Sequence, residues 1–121
     1  MKFAKVVFWI AGIWGVLVLT PLYFIFDVIG RNDPPPITHP AFYYGFATVG
    51  LAFQFVFFVI ARDPKRLRPV MIPAVIEKFG YGATLLVLFV QSRLHAQDMA
   101  LGGIDVLFGA LFLAAFFKTD D

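Results

Sequence analysis

Four apolar runs of about twenty residues each, joined by short polar or proline-rich connections, restrict what this chain can fold into. Val6 to Phe26 and Ala41 to Ala61 carry no charged residue. Met71 to Val90 carries Glu77 and Lys78, and Met99 to Phe117 carries Asp105. The hydrocarbon core of a bilayer is about 30 Å thick and takes about 20 apolar residues of helix to cross. Lipid cannot satisfy backbone hydrogen bonds, so an open-ended span must be helical. A β-barrel is excluded because the apolar runs are continuous and do not alternate.

Composition argues the same way. Of 121 residues, 60% are hydrophobic and only 15% charged. The mean hydropathy is +0.83. A soluble domain is about 45–50% apolar and about 25% charged, and a small one has too little interior to hide this excess. The fold class that follows is all-α: an integral membrane four-helix bundle forming one transmembrane domain over 1–121. The expected helices are about 4–29, 40–61, 71–92 and 98–118. Lys2 and Lys5 resemble the start of a signal peptide, but the apolar run is longer than such segments have and no small-x-small site follows it. Pro21 is expected to bend the first helix.

Short connections join antiparallel neighbours, which gives an up-down-up-down order. Four spans place both termini on the side of the middle loop. That side holds Lys2, Lys5, Arg62, Lys65, Arg66, Arg68 and Lys118, whereas the other holds only Arg31 and Arg93. Basic residues beside spans favour the cytoplasm, so the expected orientation is N-in and C-in. Arg62, Lys65, Arg66 and Arg68 are also candidates for contact with anionic lipid, worth about 1 kcal/mol per charge. Setting topology alone is the simpler account of them. Pro34, Pro35, Pro36 and Pro40 stiffen the 30–40 connection, and Asp98 is placed to cap the fourth helix.

Ionisable groups inside the bilayer are costly and point to function by default. Lys78 has a simple alternative: its stem leans toward the helix N-terminus and reaches the interface. Glu77 shares a small, polar helix face with Ala74, Gly80, Tyr81 and Thr84. Gln54 lies at a similar depth, roughly 12 Å from the same face, and is expected to meet Glu77. Asp105 is flanked on its own face by Gly102 and Gly109, which permit close helix approach. The candidate site is therefore a buried cluster of Gln54, Glu77, Tyr81, Thr84 and Asp105. It serves either as hydrogen-bonded pegs fixing helix register or as a proton-carrying or ligand-binding site.

No catalytic residue set, phosphate loop or nucleic-acid motif is visible, and no cofactor or metal is expected. There is no cysteine, which excludes thiolate metal sites and disulfide chemistry. His39 and His95 stand in separate loops without ligand spacing. Trp9, Tyr23, Tyr43 and Tyr44 suit an interfacial aromatic belt.

A resemblance covers most of residues 41–119. It rests on D-P-x-R-x-R-P-x-M from Asp63 to Met71, E-K-F-x-Y-G from Glu77 to Gly82, Ile104-Asp105, Gly109-x-Leu111-Phe112 and Phe117-Lys118-Thr119. These residues resemble an uncharacterised group of short bacterial inner-membrane proteins, similar in size and four-helix layout to DoxX-like proteins. The resemblance implies a multi-pass protein of the bacterial inner (cytoplasmic) membrane, with Glu77, Lys78 and Asp105 part of the pattern.

Three roles fit. The first is an accessory or scaffolding subunit whose partners are the lipid bilayer and either another membrane protein or a second copy in a homodimer. Its support is small-residue faces such as Ala11 with Gly15, Ala41 with Gly45 and Ala110 with Ala114. The second is a lipid- or small-molecule-binding protein or proton-coupled transporter using Glu77 and Asp105. The third is a membrane enzyme acting on a lipid or quinone, with Glu77 and Tyr81 as an acid–base pair.

Overall fold

The computed structural model describes residues 2–33 and 35–119. The helices are α1 (Lys2–Leu19), α2 (Phe26–Asn32), α3 (Pro40–Arg62), α4 (Met71–Val90) and α5 (Met99–Lys118). With the short 3-10 turns that extend them, four stretches are long and apolar enough to cross a membrane: Lys2–Tyr23, Pro40–Arg62, Arg68–Val90 and Ala96–Lys118. No strand occurs among the described residues.

The first helix does not run unbroken over 4–29. It tightens into a 3-10 turn at Thr20–Tyr23, stops at Phe24 and Ile25, and α2 begins at Phe26. Pro21 removes a donor and crowds the turn before it, so the sequence-based expectation of a bend becomes a full break. The freed backbone is satisfied from α3, where the Tyr43 hydroxyl donates to the Leu22 carbonyl at 2.6 Å. Tyr23 and Thr48 share a hydroxyl–hydroxyl bond, while the Thr48 hydroxyl donates to Tyr44 O at 2.8 Å. Phe26 then packs edge-on against Tyr43 and stacks on Tyr44. Tyr23, Tyr43 and Tyr44 thus hold the broken segment onto α3.

The end of α4 is a Schellman motif. The Arg93 N–H donates to Leu88 O at 2.8 Å and the Ser92 N–H to Phe89 O at 3.0 Å. Ser92 occupies the left-handed position, with φ 59°. Asp98 stands at the start of α5 but makes no side-chain cap bond. A 3-10 turn over Ala96–Asp98 precedes the helix instead, and the Asp98 carboxyl is turned toward Asp33 and His95. Of the prolines stiffening the connection before α3, Pro34 lies outside the described residues.

The helices pair unevenly. Helix α1 lies along α3, α4 lies along α5, and α1 also touches α5, whereas α3 and α4 barely meet. Close approach in the two good pairs relies on glycine. A Cβ on Gly12 would strike the Phe58 ring and one on Gly15 the Gln54 carboxamide, so Gly12 and Gly15 are consumed by the α1–α3 contact, while Ala11 is buried in the core. Gly109 lies against Phe79, and Gly102 against Leu85, as expected for the residues that flank Asp105.

The core occupies one end of the bundle. Ala4, Phe8 and Ala11 of α1, Phe57 and Ile60 of α3, Met71 and Ala74 of α4, and Phe112 and Ala115 of α5 are nearly or fully excluded from solvent. The Phe112 ring stacks on Phe8 at 4.2 Å and meets Phe57 edge-on at 4.9 Å. All these residues lie toward the end that carries the N-terminus, the 62–70 loop and the C-terminus. Arg68 ties the loop to that end. Its Nε donates to Phe116 O at 2.8 Å, and its guanidinium sits 3.9 Å from the centre of the Phe116 ring. Phe116 is in the last turn of α5, where carbonyls lack helical partners. Arg68 is therefore a helix cap, not a freely presented lipid contact, whereas Arg62, Lys65 and Arg66 are exposed.

Candidate functional site

The opposite half of the bundle is not filled. Because α3 diverges from α4, a cavity of about 680 Å³ opens between α1, α3, α4 and α5. Its walls are largely apolar and aromatic, with Trp14, Leu19, Phe46, Val49 and Phe53 among them. Asp33 and Asp98 line the end away from the termini. Gln54, Glu77, Lys78, Tyr81 and Asp105 line the deep end, directly above the aromatic core. Its size is in the range of about 300–1,000 Å³ that small-molecule sites occupy.

At the deep end, Lys78 Nζ lies 3.7 Å from Glu77 Oε2 and 3.6 Å from Asp105 Oδ1. The Lys78 side chain is 5% exposed, that of Asp105 15% and that of Glu77 27%. The ammonium is also 5.2 Å from the centre of the Phe57 ring and 5.7 Å from that of Phe108. It therefore rests on the core, while the carboxyls stand nearer the cavity. This corrects the expectation that Lys78 reaches the interface. Two buried acids on adjacent helices need a counter-charge, and Lys78 is the only basic residue within the apolar runs. That requirement was visible in the sequence, and it outweighs the intrinsic tilt of the side chain.

Gln54 is 1% exposed. Its Nε2 donates to Gly50 O at 2.7 Å on its own helix, while Oε1 lies over Gly15 without a hydrogen-bond partner. Glu77 Oε2 is likewise without a hydrogen-bond partner. Gln54 and Glu77 share the cavity wall, but no direct hydrogen bond joins them among the described residues. Tyr81 stacks on Phe46 at 5.6 Å, bridging the seam between α3 and α4, and makes no hydrogen bond to Glu77 among the described residues. Thr84 does not belong to the site. It is exposed, and its hydroxyl is spent on Gly80 O at 2.8 Å.

Residues near the mouth were not in the sequence-derived cluster. His95 Nε2 is 3.4 Å from Asp33 Oδ1, and Asp98 lies beside both. A second recess of about 450 Å³, lined by Asp33, Arg93, His95 and Asp98 among others, adjoins the cavity through the two shared aspartates. His39 stands apart, against Phe42. Among the described residues, no group of three or more His, Asp or Glu side chains is arranged to hold a metal ion.

Fold and site together define a multi-pass helical membrane protein, close-packed at one end and hollowed at the other around a buried ammonium with two carboxyl partners. Compared with models of protein families, with curated proteins and with solved structures, the chain matches none.

Proposed function

We propose that the protein binds a small amphipathic molecule from within or beside the bilayer, with the polar part of that molecule at Glu77, Asp105 and Gln54. One observation carries this reading: an apolar cavity of about 680 Å³ ends on a buried charged group. Pegs that only fix helix register need no such space, and hydrophobic pockets with a few convergent polar groups are the usual form of a ligand site. The proposed setting is the bacterial cytoplasmic membrane, N-in and C-in. The basic residues of the 62–68 loop and the termini support that orientation, which puts the cavity mouth on the outer side. Movement of a bound molecule inward would require the aromatic end to part, so binding is the function proposed.

Gly45 supplies the test. It lines the cavity, and a Cβ there would meet nothing within 4 Å, so Gly45→Phe fills the space without straining the fold. Native mass spectrometry from mild detergent should find a small molecule or lipid on the wild-type protein and lose it in Gly45→Phe. Identical bound species on both proteins would overturn the reading.

A second reading, an accessory subunit or homodimer, rests on Gly80 and Gly103, outside the cavity lining, where added side chains would meet open space, and on exposed Ala41 and Ala110. In the same experiment it requires a co-purifying protein or a second copy of the chain.

A further inference from the structure

The charges around the cavity are one-sided. Asp33, Glu77, Asp98 and Asp105 line it, against the single cation of Lys78, and no other lysine and no arginine lines it among the described residues. Their placement sharpens the imbalance. Lys78 is the least exposed member of its triad and lies against Phe57 and Phe108, so a molecule descending the cavity meets carboxyl oxygens before it meets the ammonium. Both ion-pair distances, 3.6 and 3.7 Å, exceed the ~2.7–2.9 Å of a charge-assisted hydrogen bond, which leaves the carboxyls with accepting capacity to spare. Gln54 adds an independent sign. It is 1% exposed, on the same wall, and its Oε1 has no partner. Buried acceptors without donors are rare in folded proteins and costly to keep. The deep end thus offers acceptors and negative charge, and asks for donors and positive charge. Trp14, Tyr43, Phe46 and Phe53 line the cavity with Tyr81, and aromatic rings attract cations.

We propose that the ligand is an amphipathic amine, its protonated nitrogen seated at Glu77, Asp105 and Gln54 and its apolar body along the aromatic wall. This inference rests on the ligand-pocket reading above and narrows it to a chemical class. Anionic amphiphiles, among them fatty acids, are excluded by the same carboxyls, since like charges brought together without solvent are strongly disfavoured. A free lipophilic amine and the ammonium of a membrane lipid present the same chemistry.

The test uses three probes with one alkyl chain and different heads: dodecylamine, dodecanol and dodecanoate. The protein is held in phosphatidylcholine nanodiscs. Trp14 lines the cavity, and Trp9 is the only other tryptophan, so a Trp9→Phe background makes Trp14 emission the reporter. Dodecylamine should saturate the signal at least about tenfold more tightly than the other two, the difference a charge-assisted contact confers. Glu77→Gln or Asp105→Asn should erase that preference, while Arg66→Gln at the far end should leave it intact. If a triad variant fails to fold, Asp33→Asn at the mouth carries the test with a several-fold loss for the amine alone. Adding phosphatidylethanolamine to the disc distinguishes the sources, because displacement of dodecylamine would assign the site to a lipid ammonium and unchanged binding to a free amine. Equal or tighter binding of dodecanol or dodecanoate overturns the amine class and leaves the pocket standing. No saturable response to any of the three removes the pocket reading itself.

Discussion

Replacing Lys78 by methionine should destabilise this protein more than removing either carboxyl. At 3.6 and 3.7 Å and an effective dielectric of about 20, each attraction is about 4–5 kcal/mol before desolvation is counted. Desolvation of the three groups offsets most of it, and removing one partner of a buried pair typically costs about 3–5 kcal/mol. Lys78→Met strands two carboxyls at once and belongs at the upper end of that range. Glu77→Gln or Asp105→Asn leaves Lys78 with one acid and a near-neutral pair, so each should cost less, about 1–3 kcal/mol. The triple variant Lys78→Met/Glu77→Gln/Asp105→Asn strands no charge and should recover most of the loss, far short of the sum of the three single effects. Unfolding in mixed detergent micelles, followed by far-UV circular dichroism against denaturing detergent, reads all four variants. A Lys78→Met protein as stable as wild type would refute the buried triad and restore a lysine that reaches the interface. Additive losses in the triple variant would refute the coupling.

Other expectations follow from single contacts. Gly15→Ala puts a Cβ onto the Gln54 carboxamide and should cost about 1–3 kcal/mol by overpacking. The double variant Gly15→Ala/Gln54→Ala should be more stable than Gly15→Ala alone, as measured by the same unfolding assay. Arg68→Lys should fail to replace Arg68, since the stack on Phe116 and the fixed Nε donor belong to guanidinium geometry; a loss of about 1–2 kcal/mol is expected in thermal melts. Ser92→Gly should stabilise by about 0.5–1 kcal/mol, because glycine takes the left-handed φ of 59° without the Cβ penalty, a gain readable as a raised melting temperature.

The spans were legible because each apolar run is as long as a bilayer is thick, and Pro21 marked where the first would fail. The severity of that failure was not legible. It depends on Tyr43, twenty-one residues away, being placed to accept the role of capping Leu22. Glu77, Asp105, Gln54 and Tyr81 were placed together by depth counting along each helix, a one-dimensional measure that works when helices are nearly straight. Lys78 was misread because side-chain tilt is a local preference and charge balance across α4 and α5 is a tertiary demand. Thr84 shared a face with Glu77 by spacing, yet nothing in spacing says which part of that face another helix covers. The cavity had no signal of its own, since it exists through the divergence of α3 from α4.

Because the chain has no cysteine, single-cysteine labelling with a membrane-impermeant maleimide tests most directly whether one half is hollow and the other closed. Val18→Cys and Leu101→Cys place thiols on the cavity wall, whereas Ala11→Cys and Ala74→Cys place them in the aromatic core. The two cavity thiols should react in intact cells, from the side opposite the termini, and the two core thiols should stay unreactive until the protein is unfolded. Unreactive thiols at Val18 and Leu101 would contradict a cavity that opens away from the termini, and reaction only in inside-out vesicles would overturn the N-in, C-in orientation.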